Sequence, residues 1–321
     1  MRTRSPDRFG VARRERRRLL SSSLGCIEAF ECCGLGRART DEDYSPHFQV
    51  CLPYSGLFVW HVGRDDVVAD SNQVLFVAAG ETFRLSAPRS ADFAELIVTP
   101  SIECLTEITG TSECRLRTHP LFARRTRRAS LAVQFVCGRA LRAFGGAGHD
   151  GLEGDEWLVD LLRLAFDVTS APPVPSERTC RLLKETKEFL AAHMAAPVRL
   201  ADVARAVHAS PAYLTDVFRR HEGVALHRYL MQLRLARALI ELPHADCLTT
   251  LALDLGFSSH SHFAAAFRQA FHCTPSAFRT STRADSRQLA SRGDTLSWRS
   301  VSPWTKISRP NSNACAKRTN G

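Results

Sequence analysis

The C-terminal third of the chain carries one helical pattern twice, and this repeat constrains the fold more than any other feature. A leading helix is predicted over 200–207. A second helix begins at Ser210-Pro211, because serine caps helix N-termini and proline suits the first helical turn. The same order returns over 248–255, where Gly256 is suited to end the leading helix. Each copy therefore predicts two short helices joined by a tight turn.

The two copies agree in the positions of their predicted buried residues. A small alanine on the leading helix and two apolar residues on the following helix recur as Ala204, Leu214 and Phe218, and as Ala252, Phe263 and Phe267. The alanine precedes the two apolar residues by 10 and 14 residues in the first copy, and by 11 and 15 residues in the second. In the second copy, Ser258 or Ser259 is predicted to cap the following helix. One long helix, predicted over 226–242, connects the copies. The pattern is a tandem pair of helix-turn-helix units, which is far more specific than a single unit.

These residues resemble the AraC/XylS family of transcriptional regulators. The matching segments, spread over about 100 residues, are 200–204, 210–223, 234–238, 252–271 and 274–279. The chain departs from the family pattern at His272, where glycine commonly allows a left-handed backbone, so a strained or shifted turn is expected there. It also has Arg199, a poor N-cap, before the first leading helix. Both departures concern local geometry and leave the implied fold unchanged.

The second helix of a helix-turn-helix unit enters the major groove of DNA, and its N-terminal residues reach the base edges. The residues expected to contact bases are Ala212, Thr215, Asp216, Ser259, His260, Ser261 and Ala264. The residues expected to contact phosphates are Arg219, Arg220 and Arg268. For each polar position the alternative is a solvated helix face, and phosphates would repel the carboxylate of Asp216.

Short strand-like runs recur between residues 47 and 99, of which 57–62 is rich in aromatic and β-branched residues. This spacing predicts a small barrel or sandwich. Segments 54–59, 69–76 and 80–88 resemble the sensory half of one branch of the same family, which implies a cupin-like barrel. The expected fold class is α+β with two domains: an N-terminal small β-barrel (cupin-like) plus helices, and a C-terminal all-α tandem helix-turn-helix.

Helical patterns follow the strands over 119–168. The basic cluster Arg124–Arg128 is predicted on the exposed face of one helix, with Leu121 on its buried side, and the apolar stripe from Trp157 to Phe166 predicts another. The expected organisation is a disordered basic leader over 1–18, a sensory or dimerisation domain over 19–170, a Pro-rich linker over 171–176, a DNA-binding domain over 177–282 and a disordered basic tail over 283–321.

The positive charge of the chain lies at its two ends. The formal net charge is +10, yet residues 1–18 and 283–321 carry +6 each, residues 19–175 carry −6 and residues 176–282 carry only +4. Basic ends attract nucleic acid without regard to sequence. A non-specific DNA-coating protein is therefore one alternative, whereas specific binding is argued from the tandem helices.

A metal-dependent cupin enzyme fused to a DNA-binding module is the other alternative. Such an enzyme needs an HxH pair with further ligands, but His61 is the only histidine in the central strands and is expected to be a packed or surface residue. His260 and His262 are two residues apart, and therefore point different ways on a helix. The eleven cysteines are scattered without a CxxC pair. We expect no enzyme activity, no metal and no cofactor.

The resemblance also implies partners and a location. The expected partners are double-stranded promoter DNA, RNA polymerase, an unknown small-molecule effector and a second copy of the chain in a homodimer. The sequence contains no run of about 18 apolar residues, so no membrane helix is predicted. A cytoplasmic protein, associated with the nucleoid when bound to DNA, is therefore expected. The sequence does not give the effector-binding residues, and it does not decide between activation and repression of transcription.

Overall fold

The described residues of the N-terminal half form ten strands in two antiparallel sheets. The computed structural model describes residues 13–87, 91–116, 125–144, 151–166 and 176–280. The strands are β1 (Arg13–Ser22), β2 (Gly25–Leu35), β3 (Asp43–Tyr44), β4 (Gln49–Ser55), β5 (Phe58–Val62), β6 (Asp65–Ala69), β7 (Gln73–Val77), β8 (Thr82–Ser86), β9 (Ala91–Pro100) and β10 (Thr126–Arg128).

The two sheets pack face to face. Their strand orders are β1-β2-β9-β4-β7-β10 and β3-β8-β5-β6. Alternate residues of both sheets fill the space between them, and the rings of Phe58 and Phe93 stack there with centroids 4.1 Å apart. The expected closed barrel is wrong for the described strands, because β1 and β10 are free edges of the larger sheet. Strand spacing predicts short antiparallel strands, but closure depends on which edges pair.

The disordered leader expected over 1–18 is wrong for Arg13–Arg18, which form the first part of β1. Arg18 lies opposite Glu28 of β2, and its guanidinium binds that carboxylate with an Nη2–Oε1 distance of 3.0 Å. A run of arginines is typical of a solvated segment, but every second residue of an edge strand can face water while the backbone pairs. Residues 1–12 lie outside the described part of the chain.

Four helices of the described N-terminal residues cover the outer face of the larger sheet. They are α1 (Ile102–Thr109), α2 (Glu113–Leu116), α3 (Leu131–Phe144) and α4 (Gly151–Phe166). Their apolar sides pack on sheet residues such as Leu52, Phe76 and Leu96. The predicted stripe between Trp157 and Phe166 is confirmed as the buried side of α4.

The helix expected over Arg124–Arg128 is wrong for residues 125–128. Thr126 lies opposite Leu75 in the pairing of β10 with β7, and Arg125 Nε lies 3.0 Å from Asp65 Oδ2. Both partners are distant in sequence, so a local pattern could not indicate them. Arg124 and Leu121 lie outside the described residues.

The described residues of the C-terminal half form helices joined by short turns and loops. Its helices are α5 (Glu177–Ala192), α6 (Leu200–Ala206), α7 (Pro211–Glu222), α8 (Leu226–Glu241), α9 (Leu248–Asp254), α10 (His260–Phe271) and α11 (Pro275–Thr280), with a 3-10 turn at Leu242–His244. Ser176 caps α5 by accepting a hydrogen bond from the backbone N of Thr179. These bounds confirm the helical pattern predicted for this half.

The sheets and the helices up to Thr280 belong to one compact unit. The α3 helix contacts the C-terminal helices: the rings of Phe135 and Phe271 stack with centroids 5.3 Å apart, and Arg142 Nη2 donates to Arg279 O at 2.8 Å. Apart from Ser176, the expected linker over 171–176 lies outside the described residues, and so does the basic tail over 283–321. The division into domains at those boundaries stays a prediction.

Candidate nucleic-acid interface

Two helices, α7 and α10, begin with a side-chain cap. Ser210 Oγ accepts a hydrogen bond from Tyr213 N at 3.3 Å, and Pro211 occupies the first helical turn as predicted. Of the two serines predicted to cap the second helix, Ser259 does so, and its Oγ accepts from His262 N at 3.1 Å. Each cap satisfies an otherwise free backbone donor, which fixes where the helix starts.

The inner sides of the two units are fully buried. The side chains predicted to face inward, Ala204, Leu214, Phe218, Ala252, Phe263 and Phe267, are at most 2% exposed. The connecting helix α8 contributes to both cores, with Tyr229 and Leu233 in the first and Leu235 and Leu239 in the second. A shared helix of this kind holds the two units in one fixed relation.

The predicted base-contacting residues lie on the outer sides of α7 and α10. Ala212, Asp216, Ser259, His260 and Ser261 are exposed, whereas Thr215 and Ala264 are partly buried. The predicted phosphate-contacting residues Arg219, Arg220 and Arg268 are exposed. The two groups therefore share the solvent side of each unit, opposite its apolar core.

Several of these polar groups already bind within their own helix. Thr215 Oγ1 donates to Pro211 O at 2.8 Å, and its lone pairs remain able to accept a hydrogen bond. Arg220 Nη2 lies 2.6 Å from Asp216 Oδ2, so the carboxylate that would repel phosphates is paired. Ser258 Oγ lies 3.0 Å from His262 Nδ1, which orients that imidazole at the start of α10. These contacts leave His260 and Ser261 as the exposed polar side chains that follow the Ser259 cap.

Left-handed backbone occurs at matching positions of the two units. His208 (φ 51°) and Gly256 (φ 83°) end the leading helices, and Gly223 (φ 71°) and His272 (φ 57°) end the helices that follow. Position 256 requires glycine, because a Cβ there would lie 2.7 Å from Met194 O. His272 keeps the left-handed cap rather than shifting the turn, and its backbone N donates to Arg268 O at 2.9 Å. Arg199 makes no side-chain capping bond, as expected.

Sequence reasoning missed Tyr213, which is 43% exposed in the first turn of α7. The inward stripe of Leu214, Val217 and Phe218 already leaves position 213 outside the core, which is the signal that could have found it. An exposed aromatic ring beside the cap adds an apolar surface next to Ala212. Such surfaces contact thymine methyl groups in the major groove.

The metal alternative finds no support in the described residues. No group of three or more His, Cys, Asp or Glu side chains there is arranged to hold a metal ion. His61 is buried, with Nδ1 2.5 Å from Asp66 Oδ1 and Nε2 2.7 Å from Ser86 Oγ. Both ring nitrogens are therefore engaged, as in a packed histidine. None of the described helices is both long and apolar enough to span a membrane.

The capped helices, their buried inner sides and the connecting helix define a tandem helix-turn-helix module. Residues 203–281 match the family described as a helix-turn-helix domain. This part of the chain is a helix-turn-helix domain of the AraC type, and its named relatives are transcriptional regulators.

Two curated relatives and one solved structure illustrate the similarity. Regulatory protein PocR of Salmonella typhimurium is 32% identical over 35% of this chain and 36% of its own length. The HTH-type transcriptional activator RhaR of Pectobacterium atrosepticum is 32% identical over 38% of this chain and 43% of its own. A transcriptional regulator of Chromobacterium violaceum with an AraC-type DNA-binding domain is 30% identical over 30% of this chain and 88% of that chain, with a TM-score of 0.29. The match thus spans about two fifths of the length of these curated relatives.

Proposed function

We propose that this chain is a sequence-specific regulator of transcription whose C-terminal half binds promoter DNA and whose N-terminal half receives a signal. The observation that supports it most is the pair of capped helices, α7 and α10, each with a buried apolar side and an exposed polar side. Two such helices on one rigid module would enter successive stretches of the major groove, about 34 Å apart.

The proposal includes further partners and a direction. A small-molecule effector would bind the N-terminal half, and RNA polymerase and a second copy of the chain would contact the DNA-bound protein. The relative RhaR is named a transcriptional activator, and activation is therefore the proposed direction. The protein would act in the cytoplasm, on the nucleoid.

Thr215→Ala and His260→Ala are each expected to relax base preference at one position of the binding site, by about 1–3 kcal/mol. The Thr215 hydroxyl can accept from a base amino group, and the exposed His260 imidazole lies at the start of α10. Binding-site selection with purified protein measures the preference.

Thr280→Ala and His244→Ala are the matched controls for these substitutions. Thr280 Oγ1 donates to Ser276 O, the same bond within a helix that Thr215 makes, and His244 is exposed in the 3-10 turn. Both controls should leave the selected sequence unchanged. Identical selected sequences from the wild type, Thr215→Ala and His260→Ala would refute the placement of the two side chains.

Arg219→Ala and Arg268→Ala are expected to weaken binding to all sequences alike. Each removes one phosphate contact, so the slope of log K against log salt should become shallower by about one. Fluorescence anisotropy over a salt series measures this slope. Arg181→Ala is the control, since Arg181 is 81% exposed on α5, outside the tandem units. Unchanged slopes for Arg219→Ala and Arg268→Ala would place the phosphates elsewhere.

A further inference from the structure

A cavity of about 270 Å³ lies between the two sheets of the N-terminal half. Aromatic rings form much of its wall: Phe30 from the larger sheet, and Phe58, Trp60 and Phe83 from the smaller one. The volume is close to the lower end of the range for small-molecule sites, which are mostly apolar with a few placed polar groups.

A buried carboxylate, that of Glu95, faces this apolar space. Glu95 alternates with Phe93 and Ile97 along β9, and both of these side chains belong to the core between the sheets. In the register of the larger sheet, Glu95 lies opposite Phe30 of β2, which also lines the cavity. The residue is only 7% exposed, and its Oε2 atom has no hydrogen-bond partner.

A donor on the same wall is also unsatisfied. Arg14 lines the cavity from β1, opposite Cys32, and its buried Nε has no hydrogen-bond partner. Arg16 lines it two residues further along β1, opposite Phe30. Buried polar atoms without partners are rare, because each costs about 1–3 kcal/mol. One unsatisfied acceptor and one unsatisfied donor therefore border a single apolar cavity.

We propose that this cavity binds a small zwitterion with an apolar body, of the class of α-amino acids with apolar side chains. The ligand's ammonium donates to Glu95, its carboxylate accepts from Arg14 and Arg16, and its side chain lies among the aromatic rings. The assignment gives partners to both unsatisfied atoms. As a signal for transcription it rests on the proposed function, but binding itself does not require DNA.

Charge at Glu95 gives the site a characteristic pH dependence. Burial raises the pKa of Glu95 to about 7, with Arg16 opposing the rise. The other titratable groups lining the cavity are Arg14, Arg16, Asp43 and Cys51, and burial holds the pKa of the Cys51 thiol well above its usual value. An ammonium pairs with the ionised carboxylate. Affinity should therefore fall by about tenfold per pH unit below pH 7.

Calorimetric titration of the full chain without DNA tests the proposal, with L-phenylalanine and L-leucine as probes. Phenethylamine lacks the carboxylate and 3-phenylpropanoate lacks the ammonium, so each should bind at least about tenfold more weakly than L-phenylalanine, a loss of about 1.4 kcal/mol. Glu95→Gln and Arg14→Gln should each lose at least as much affinity, and Glu95→Gln should also remove the pH dependence. Glu103→Gln, at an exposed glutamate of α1, should bind as the wild type does.

Three outcomes would overturn the assignment: no heat from either amino acid at millimolar concentration, equal affinity of phenethylamine and L-phenylalanine, or unchanged affinity in Glu95→Gln. Circular dichroism of each variant verifies that it is folded. Because these titrations contain no DNA, their failure leaves the DNA-binding proposal untouched. If the binding-site selection fails, the titrations still test whether the cavity binds amino acids.

Discussion

Lys187→Met is expected to lower the free energy of unfolding by about 3–5 kcal/mol, because it removes the cation that is paired with the buried carboxylate of Glu222. Lys187 Nζ lies 2.8 Å from Glu222 Oε1, and the two side chains are 8% and 9% exposed. Water cannot replace the lost partner at such burial. Lys187 lies on α5 and Glu222 is the last residue of α7, so the pair also joins these two helices.

This ion pair belongs to a polar network between the sheets and the C-terminal helices. Gln73 Nε2, from β7, donates to Glu222 Oε2 at 3.3 Å. Tyr229 OH, from α8, donates to Asp70 Oδ2 at 2.6 Å. Burial raises the pKa of Asp70, and the charge of Lys187 opposes that rise. Removal of the Lys187 charge therefore affects two buried carboxylates at once, which is why a large loss is expected.

Two further variants test whether the large loss of stability is due to the burial of the ion pair. Arg181→Ala breaks an exposed pair with Glu185 on the same helix and should cost less than about 1 kcal/mol. The double variant Lys187→Met/Glu222→Gln should regain part of the loss, since an amide at 222 needs no cation and can still accept from Gln73. Urea unfolding measures all three. A loss from Lys187→Met as small as that from Arg181→Ala, or no recovery in the double variant, would contradict the network.

Glu95→Gln is expected to stabilise the ligand-free protein by up to about 3 kcal/mol above pH 7, and by much less near pH 4.5. Burial raises the pKa of Glu95 from 4.5 to about 7 in the folded protein. A group whose pKa is raised on folding contributes stability below its unfolded pKa and loses it as the pH rises through the folded pKa. The wild type should therefore lose stability between about pH 4.5 and 7, whereas the glutamine variant lacks that term.

Urea unfolding at pH 5 and pH 8 in the absence of amino acids measures the difference. Glu103→Gln, which replaces an exposed carboxylate on α1, serves as the control. The difference in stability between Glu103→Gln and the wild type should be nearly the same at both pH values. A stability difference between Glu95→Gln and the wild type that is the same at both pH values would mean that Glu95 ionises freely in the folded protein.

The C-terminal helices could be predicted because their signals are local. The serine and proline at 210 and 211, and the glycine at 256, act through backbone groups within a few residues of themselves. The spacing of Leu214, Val217 and Phe218 along one helix likewise fixes the buried side without knowledge of the partner. The orientation of Tyr213 follows from the same spacing, although its place on the outer surface was not predicted.

The N-terminal features that were missed depend on distant partners. The arginines of β1 form a strand because β2 pairs with them, and Arg125–Arg128 are extended through β7 and two acidic side chains. Glu95 resembles an ordinary polar position in a strand, since only the second sheet decides that its side of β9 is enclosed. Local patterns predict the spacing of the strands. The edges of the sheets, the closure of a barrel and the burial of charged side chains depend on which strands and sheets pack together.

Hydroxyl-radical footprinting on a selected binding site measures which parts of the duplex the protein covers. If α7 and α10 are two DNA-contacting helices of one rigid module, protection should fall into two segments on one face of the duplex, with centres about one helical turn, or roughly 10 base pairs, apart. Arg219→Ala should weaken one segment and Arg268→Ala the other. Uniform protection without a preferred sequence, or a single segment weakened equally by both variants, would show that α7 and α10 do not bind DNA as two separate helices.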